Sequence, residues 1–278
     1  MSRVCYRSAP LVETMLKGAL HAHSTYSDGE FTLQELRDTF LADGCSFLCM
    51  TDHAEYFDKQ SIARYISECE SLSDKTFQLV AGLEYRCKRD MHILGYCATQ
   101  LTQSSDPEEV IRQIAAEGGI PVIAHPRNDF FEWIESFNTL PMGIETWNTK
   151  YDGRYAPRPG TFRLLQRLRR RVPEMHAFYG QDLHWKKQFR GLNVILDGDS
   201  PEPLKILAAL AAGAYVGQKA ELCLPASGVL SEALLDEFDR VQARSHHMWS
   251  LLKNGKRALD RLGIHVPKSL KAQLRRIF

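Results

Sequence analysis

No CxxC pair occurs among the seven cysteines of the chain (Cys5, Cys45, Cys49, Cys69, Cys87, Cys97 and Cys223), their number is odd, and several lie inside apolar runs. This argues against a disulfide framework and a thiolate zinc site; the pattern reads as reduced thiols in a core, with a cytoplasmic address as the expectation. Nowhere do about eighteen apolar residues run together, which excludes a membrane-spanning helix. The opening MSRVCYRSAPLVETML has no sustained apolar segment behind its positive charges, so no secretory leader is expected. Net charge is scarce as well: 35 Lys and Arg stand against 34 Asp and Glu, a formal +1. A general attraction to nucleic acid or to a membrane surface therefore has no basis, and any such partner must be argued locally. Also missing are a GxSxG elbow, a P-loop, a CxxxxxR phosphatase loop, internal repeats and low-complexity linkers.

What is there alternates. A chain of 278 residues with 44% hydrophobic content is long enough for one large core or two modest ones. The run 15–23 reads as a first strand, and 33–42, with apolar residues at three and four spacing before Asp43-Gly44, as a helix. The apolar run 46–51 reads as a strand buried on both faces and 77–83 as the next strand, with a helix over 61–72 between them. Segment 91–96 is the return arm of a hairpin, 107–117 a helix capped by Asp106 with proline at its first position, and 120–124 and 143–148 further strands. A basic amphipathic helix over 162–171, strands over 175–179 and 193–196 and a helix over 203–212 follow. Strands separated by helices argue parallel pairing with right-handed crossovers. About seven such units fit an α/β fold closed into a distorted barrel. From 229 the strand pattern stops, and 231–252 and 269–277 read as helices, in a tail richer in Lys and Arg than in acids. The expectation is a barrel over 1–228 and a basic helical extension over 229–278 packed on the barrel floor, since so short a segment is marginal alone.

The chemistry gathers where strands end. In Leu20-His21-Ala22-His23-Ser24-Thr25-Tyr26-Ser27-Asp28-Gly29, two imidazoles and a carboxylate fall within ten residues. If the strand runs on to His23, period-two alternation points His21 and His23 the same way, a chelating arrangement with Asp28 close by. Later strand ends carry His53, Glu84, His125, Asp182 and His184, and the hairpin adds His92. Six of the ten histidines thus stand on the face where a parallel barrel gathers its reactive side chains, while His176, His246, His247 and His265 scatter. Nitrogen and oxygen donors without thiolate suit Zn, Mn or Fe. Clustered cations about 3.5 to 4 Å apart lower the pKa of a shared water and clamp the oxygens of a phosphoryl displacement, so a metal-bridging hydroxide serves as nucleophile.

At HAHSTYSDG (21–29), TDH (51–53), the Glu84 strand end, HILGY (92–96), AHP (124–126) and QDLH (181–184), the sequence resembles the PHP family, the polymerase and histidinol phosphatase superfamily of metal-dependent phosphoesterases. The run 203–215 (PLKILAALAAGAY) is similar to that family's closing helix and turn. The resemblance implies a distorted (β/α)7 barrel with up to three metal ions. By motif position His21, His23, Glu84 and Asp182 would hold the first, Glu84 as bridge with His92 and His125 the second, and Asp28, His53 and His184 the third. No long helical insertion is evident before the last motif and no polymerase domain follows it, which weakens a polymerase-associated role.

A phosphoryl substrate needs further donors. Arg127, directly after AHP, is the first choice for a bidentate clamp, and Arg86, Lys88, Lys150, Arg154 and Arg158 lie on the same loops. Trp147 and Tyr56 could stack on a ring, and Glu145 could orient a ligand imidazole. The expected partner is a small phosphorylated substrate. Histidinol-phosphate phosphatase is the alternative within that class. A nuclease using Arg240, Arg244, Lys253, Lys256, Arg257 and Arg261 of the tail on backbone phosphates is the alternative outside it.

Overall fold

The chain leaves its first strand, β1 (Met15–Leu20), through the histidine-rich turn and enters helix α1 (Leu33–Ala42) under a reciprocal cap. Thr32 Oγ1 accepts from Glu35 N at 3.1 Å, and Glu35 Oε2 accepts from Thr32 N at 3.0 Å. The coordinates are a computed structural model that describes residues 15–261. After α1 come β2 (Phe47–Cys49), β3 (Asp52–His53), α2 (Lys59–Ser71), β4 (Gln78–Val80), β5 (Gly82–Arg86), β6 (His92–Tyr96), α3 (Pro107–Ala116) and β7 (Ile120–Ile123). Then follow α4 (Phe131–Glu135), β8 (Gly143–Asn148), α5 (Pro159–Leu168), β9 (His176–Gly180), β10 (Asn193–Asp197), α6 (Pro203–Ala211), β11 (Tyr215–Lys219), β12 (Leu222–Pro225) and α7 (Glu232–Arg261).

The strands fall into two six-stranded mixed sheets, ordered β12-β11-β10-β1-β2-β4 and β3-β5-β6-β7-β8-β9, rather than one parallel ring. The expected strands 46–51 and 77–83 each break: one leaves the first sheet after Cys49 and enters the second at Asp52, the other leaves after Val80 and enters at Gly82. That double crossing admits no side chain at Gly82, where a Cβ would stand 2.5 Å from the Gly95 carbonyl oxygen and 2.8 Å from that of Met50. Beyond the strand ends the sheets are also joined, by Gln181 N to Leu20 O at 3.0 Å and by His23 N to Leu183 O at 3.0 Å. Apolar helix faces cover the outside: Leu33, Leu36 and Phe40 from α1, Val110, Ile111 and Ile114 from α3, Phe162, Leu164, Leu165 and Leu168 from α5.

Two strands, β11 and β12, were not expected. They extend the first sheet as a hairpin whose turn places Ala220 at φ 49°. The tail also lies elsewhere than on the floor. Helix α7 runs along α5, burying Leu235 and Phe238, while Arg163 of α5 faces Glu232, Asp236 and Asp239. The expected helix over 269–277, and the side chains of Lys256, Arg257 and Arg261, lie outside the described residues.

Candidate metal centre

His21 does not continue the strand. β1 stops at Leu20, and His21 takes φ 63°, a conformation that L residues other than Asn and Asp seldom adopt. The turn, not strand alternation, brings His21 Nε2 to 3.1 Å from His23 Nε2, both rings fully buried. His125 (φ 28°) and Asp182 (φ 51°) share this strained backbone, so three of the site's donors are held at a conformational cost of about 1 kcal/mol or more each. Glu145 Oε1 lies 2.8 Å from His21 Nδ1. A carboxylate only accepts, so Nδ1 carries a proton and donates it to Glu145, which leaves Nε2 as the nitrogen that faces inward. Gly180 makes room for that carboxylate, since a Cβ there would overlap Glu145 Oε1.

Glu84 is the centre. Its Oε1 is 2.9 Å from His92 Nδ1 and 3.2 Å from His125 Nε2, and its Oε2 is 3.2 Å from His23 Nε2 and 3.5 Å from both His21 Nε2 and His53 Nδ1. His92 reaches this end because β6 runs antiparallel to β5, pairing Arg86 with His92. Asp182 Oδ1 is 3.0 Å from His184 Nδ1 and 3.7 Å from both His21 and His23 Nε2. Asp28, the most exposed member, stands 3.2 Å from His184 Nε2 and 3.8 Å from His53 Nε2. All nine strand-end donors therefore converge.

Their protonation preferences interlock. Burial opposes ionisation of Glu84 and Asp182, yet the imidazoles around them, His21 foremost, hold both carboxyls well below the usual range. Burial would lower His21, but Glu145, Asp182 and Glu84 outweigh it and raise it well above its ordinary value. His23 goes the other way, burial dominating, and His53 is lowered for the same reason. Four groups, His23/Asp28/His53/His184, His21/His23/Asp182, His21/Glu84/His125 and His53/Glu84/His92, each place their ligand atoms within 4.8 Å of one another. The buried His23 Nδ1 and His53 Nδ1 have no hydrogen-bond partner among the described residues. Imidazoles clustered around ionised carboxylates, with the buried nitrogens of His23 and His53 unsatisfied, are a donor set that fits divalent transition cations.

Residues 19–151 match the family model of the PHP domain. The likeness to a PHP domain thus covers a little under half of the chain. The match takes in His21 to His125 and ends before Asp182 and His184, which the fold supplies from the loop after β9. An 86-residue stretch is 29% identical to the DNA polymerase/3'-5' exonuclease PolX of Bacillus subtilis (strain 168), covering 28% of this chain and 15% of that protein. The chain thus spans a small part of that relative. The crystal structure of a two-domain protein from Bacteroides vulgatus, containing a predicted PHP-like metal-dependent phosphoesterase, superposes with TM-score 0.58 over 86% of this chain and 74% of that one, at 18% identity. That likeness is one of fold.

Around the cluster of donors, the substrate candidates part ways. Lys150 reaches furthest in, its Nζ 3.1 Å from Asp182 Oδ1 and 3.2 Å from His184 Nε2. Burial would lower its pKa, but Asp182 beside it raises it. Arg127 and Arg86 stay outside, more than half exposed, held by Asp129 and Asp90. Trp147 cannot stack on a substrate: it is 1% exposed within β8, its Nε1 donating to Gly153 O at 3.0 Å. Tyr56 is exposed, its ring centroid 6.2 Å from that of His53.

Three residues escaped sequence reasoning. Asn148 donates its side-chain amide to Glu145 Oε2 at 2.9 Å and Asp182 Oδ2 at 3.1 Å, and its Oδ1 accepts from Lys150 N and Tyr151 N. Tyr151 places its ring 4.5 Å from that of His125. Asp52 pins the ligand turn, accepting from Ser24 N at 2.7 Å, Ser24 Oγ at 3.0 Å and Ser27 Oγ at 2.6 Å. The TDH motif pointed at Asp52, but reading it for ligands drew attention only to His53.

Proposed function

We propose that the protein is a metal-dependent phosphoesterase acting on a small phosphorylated substrate, with two or three divalent cations (Zn, Mn or Fe) held by the strand-end donors. The observation that carries this is Glu84, whose two oxygens lie within 3.5 Å of five imidazoles, the arrangement of a bridging carboxylate. By motif position His21, His23 and Asp182 would hold one ion, His92 and His125 a second, and Asp28, His53 and His184 a third, with Glu84 shared by the first two; the distances support the first and third groupings directly, while they group His125 with His21 and Glu84, and His92 with His53 and Glu84. Bound there, such cations supply Lewis acidity toward phosphoryl oxygens and make a coordinated water acidic near neutral pH. The chain's own contribution is orientation: Glu145 fixes the tautomer of His21, Asn148 aims Asp182, and Lys150 offers an ammonium to a phosphoryl oxygen. The hydrogen bonds between the segments after β1 and β9 support reading the two sheets as a distorted (β/α)7 barrel over 1–228, with 229–278 an added helical extension.

A small-molecule substrate is the first reading; a nucleic acid would rest on the tail cations such as Arg240, Arg244 and Lys253, and Arg163, Arg167, Arg169 and Arg171 add nothing to it because they are engaged within the chain. Arg163 faces acids of α7, Arg167 pairs with Glu135, and Arg169 and Arg171 donate to carbonyl oxygens. Histidinol phosphate is one member of the class. The test is a panel of phosphate monoesters and diesters assayed with Mn, Zn and Fe in turn, on wild type and Glu84→Gln. Phosphate release on one ester class, reduced at least about a hundredfold in the variant, is expected. No release from any ester with any metal contradicts the reading.

A further inference from the structure

The loop between β8 and α5, residues 149–158, covers the site from two sides, with Lys150 over Asp182 and His184 and Tyr151 against His125. It is built inward from Asn148, as described, and around Asp152, whose buried carboxylate accepts from Asn148 N at 2.8 Å and pairs with Arg158. Arg158 also donates to Pro126 O at 3.0 Å, beside His125. On the outer side of the loop stands α7, beyond the PHP match. One face of that helix carries Leu235, Phe238 and Gln242, spaced three and four apart; the first two are buried, and the third extends its amide across the loop. Gln242 Nε2 donates to Asp152 O at 2.7 Å and to Ala156 O at 2.6 Å, bridging two carbonyls four residues apart.

We infer that Gln242 is a positioning residue: through it α7 holds the 149–158 loop in the conformation that sets Lys150 and Tyr151 over the metal centre. Only the kinetic part of the test rests on the phosphoesterase reading. The two carbonyls need N–H donors and nothing else, so donor and acceptor variants separate the contact from mere bulk. Gln242→Glu keeps the shape and presents only acceptor oxygens; Gln242→Arg restores two donors at a longer reach.

In metal-loaded, full-length Gln242→Glu, backbone amides of 149–156 are expected to exchange about tenfold faster while those of β5 to β9 stay unchanged. KM for the best ester is expected to rise about fivefold with kcat within about twofold, at unchanged metal content. Gln242→Arg should return exchange and KM close to wild type. Unchanged loop exchange in Gln242→Glu, acceleration spread through both sheets, or a loosened loop with unmoved KM would each overturn the inference. If wild type cleaves no ester, loop-confined exchange that Gln242→Arg reverses still supports the clamp, and the phosphoesterase reading alone fails.

Discussion

Asp52 coordinates nothing in the proposed allocation, yet the ligand turn depends on it. Burial pushes its carboxyl up to about 6 from an ordinary 3.8, against the pull of three hydrogen bonds. A carboxyl whose folded pKa is raised keeps its proton longer in the native state, so stability falls as pH rises between the two values and is flat above the higher one. In chelator-treated protein, Asp52→Asn should gain stability relative to wild type from about pH 4 to about pH 6, by about 3 kcal/mol in all, with no further gain at higher pH. Urea unfolding across that range checks it, and a difference independent of pH would show that Asp52 ionises without penalty. At this scale the donors that converge were legible, because His21, His53, Glu84, His125 and Asp182 each stand where an apolar run stops. Asn148 and Tyr151 were not, since their roles come from a turn whose path no periodicity encodes. Trp147 was misread because its strand is buried along its whole length.

Among the described elements, every helix but the short α4 and most strands could be read from apolar spacing, α1 and β8 to the residue. The sheet change at Met50-Thr51 and at Ala81 could not, because an apolar run looks the same whether it stays in one sheet or passes to the next. The hairpin of β11 and β12 was hidden for another reason: its turn has Ala220 in the left-handed region, where asparagine or glycine would have signalled it. Gly82 carries the crossing. Gly82→Ala would press a methyl group against the carbonyls of Gly95 and Met50, and the expected cost is about 2 kcal/mol or more, read as a lower urea midpoint. Because β5 delivers Glu84 two residues later, the variant is also expected to bind metal more weakly. A wild-type midpoint and wild-type metal affinity together would mean that the crossing tolerates a side chain.

For the molecule as a whole, near-zero net charge narrowed the classes, and no helix among the described residues is long and apolar enough to cross a membrane. What composition did not reveal is how the arginine-rich stretch 162–171 is used: it ties α5 to α4, α7 and nearby loops, and so serves the fold. Convergence of donors from both sheets on Glu84 is the central claim, and metal analysis reads it most directly. Elemental analysis of the purified protein, before and after exhaustive chelation, should find more than one equivalent of Zn, Mn or Fe per chain, lost together with ester hydrolysis and regained with it on adding metal back. Protein that carries no transition metal, binds none on titration and is indifferent to the chelator would contradict it.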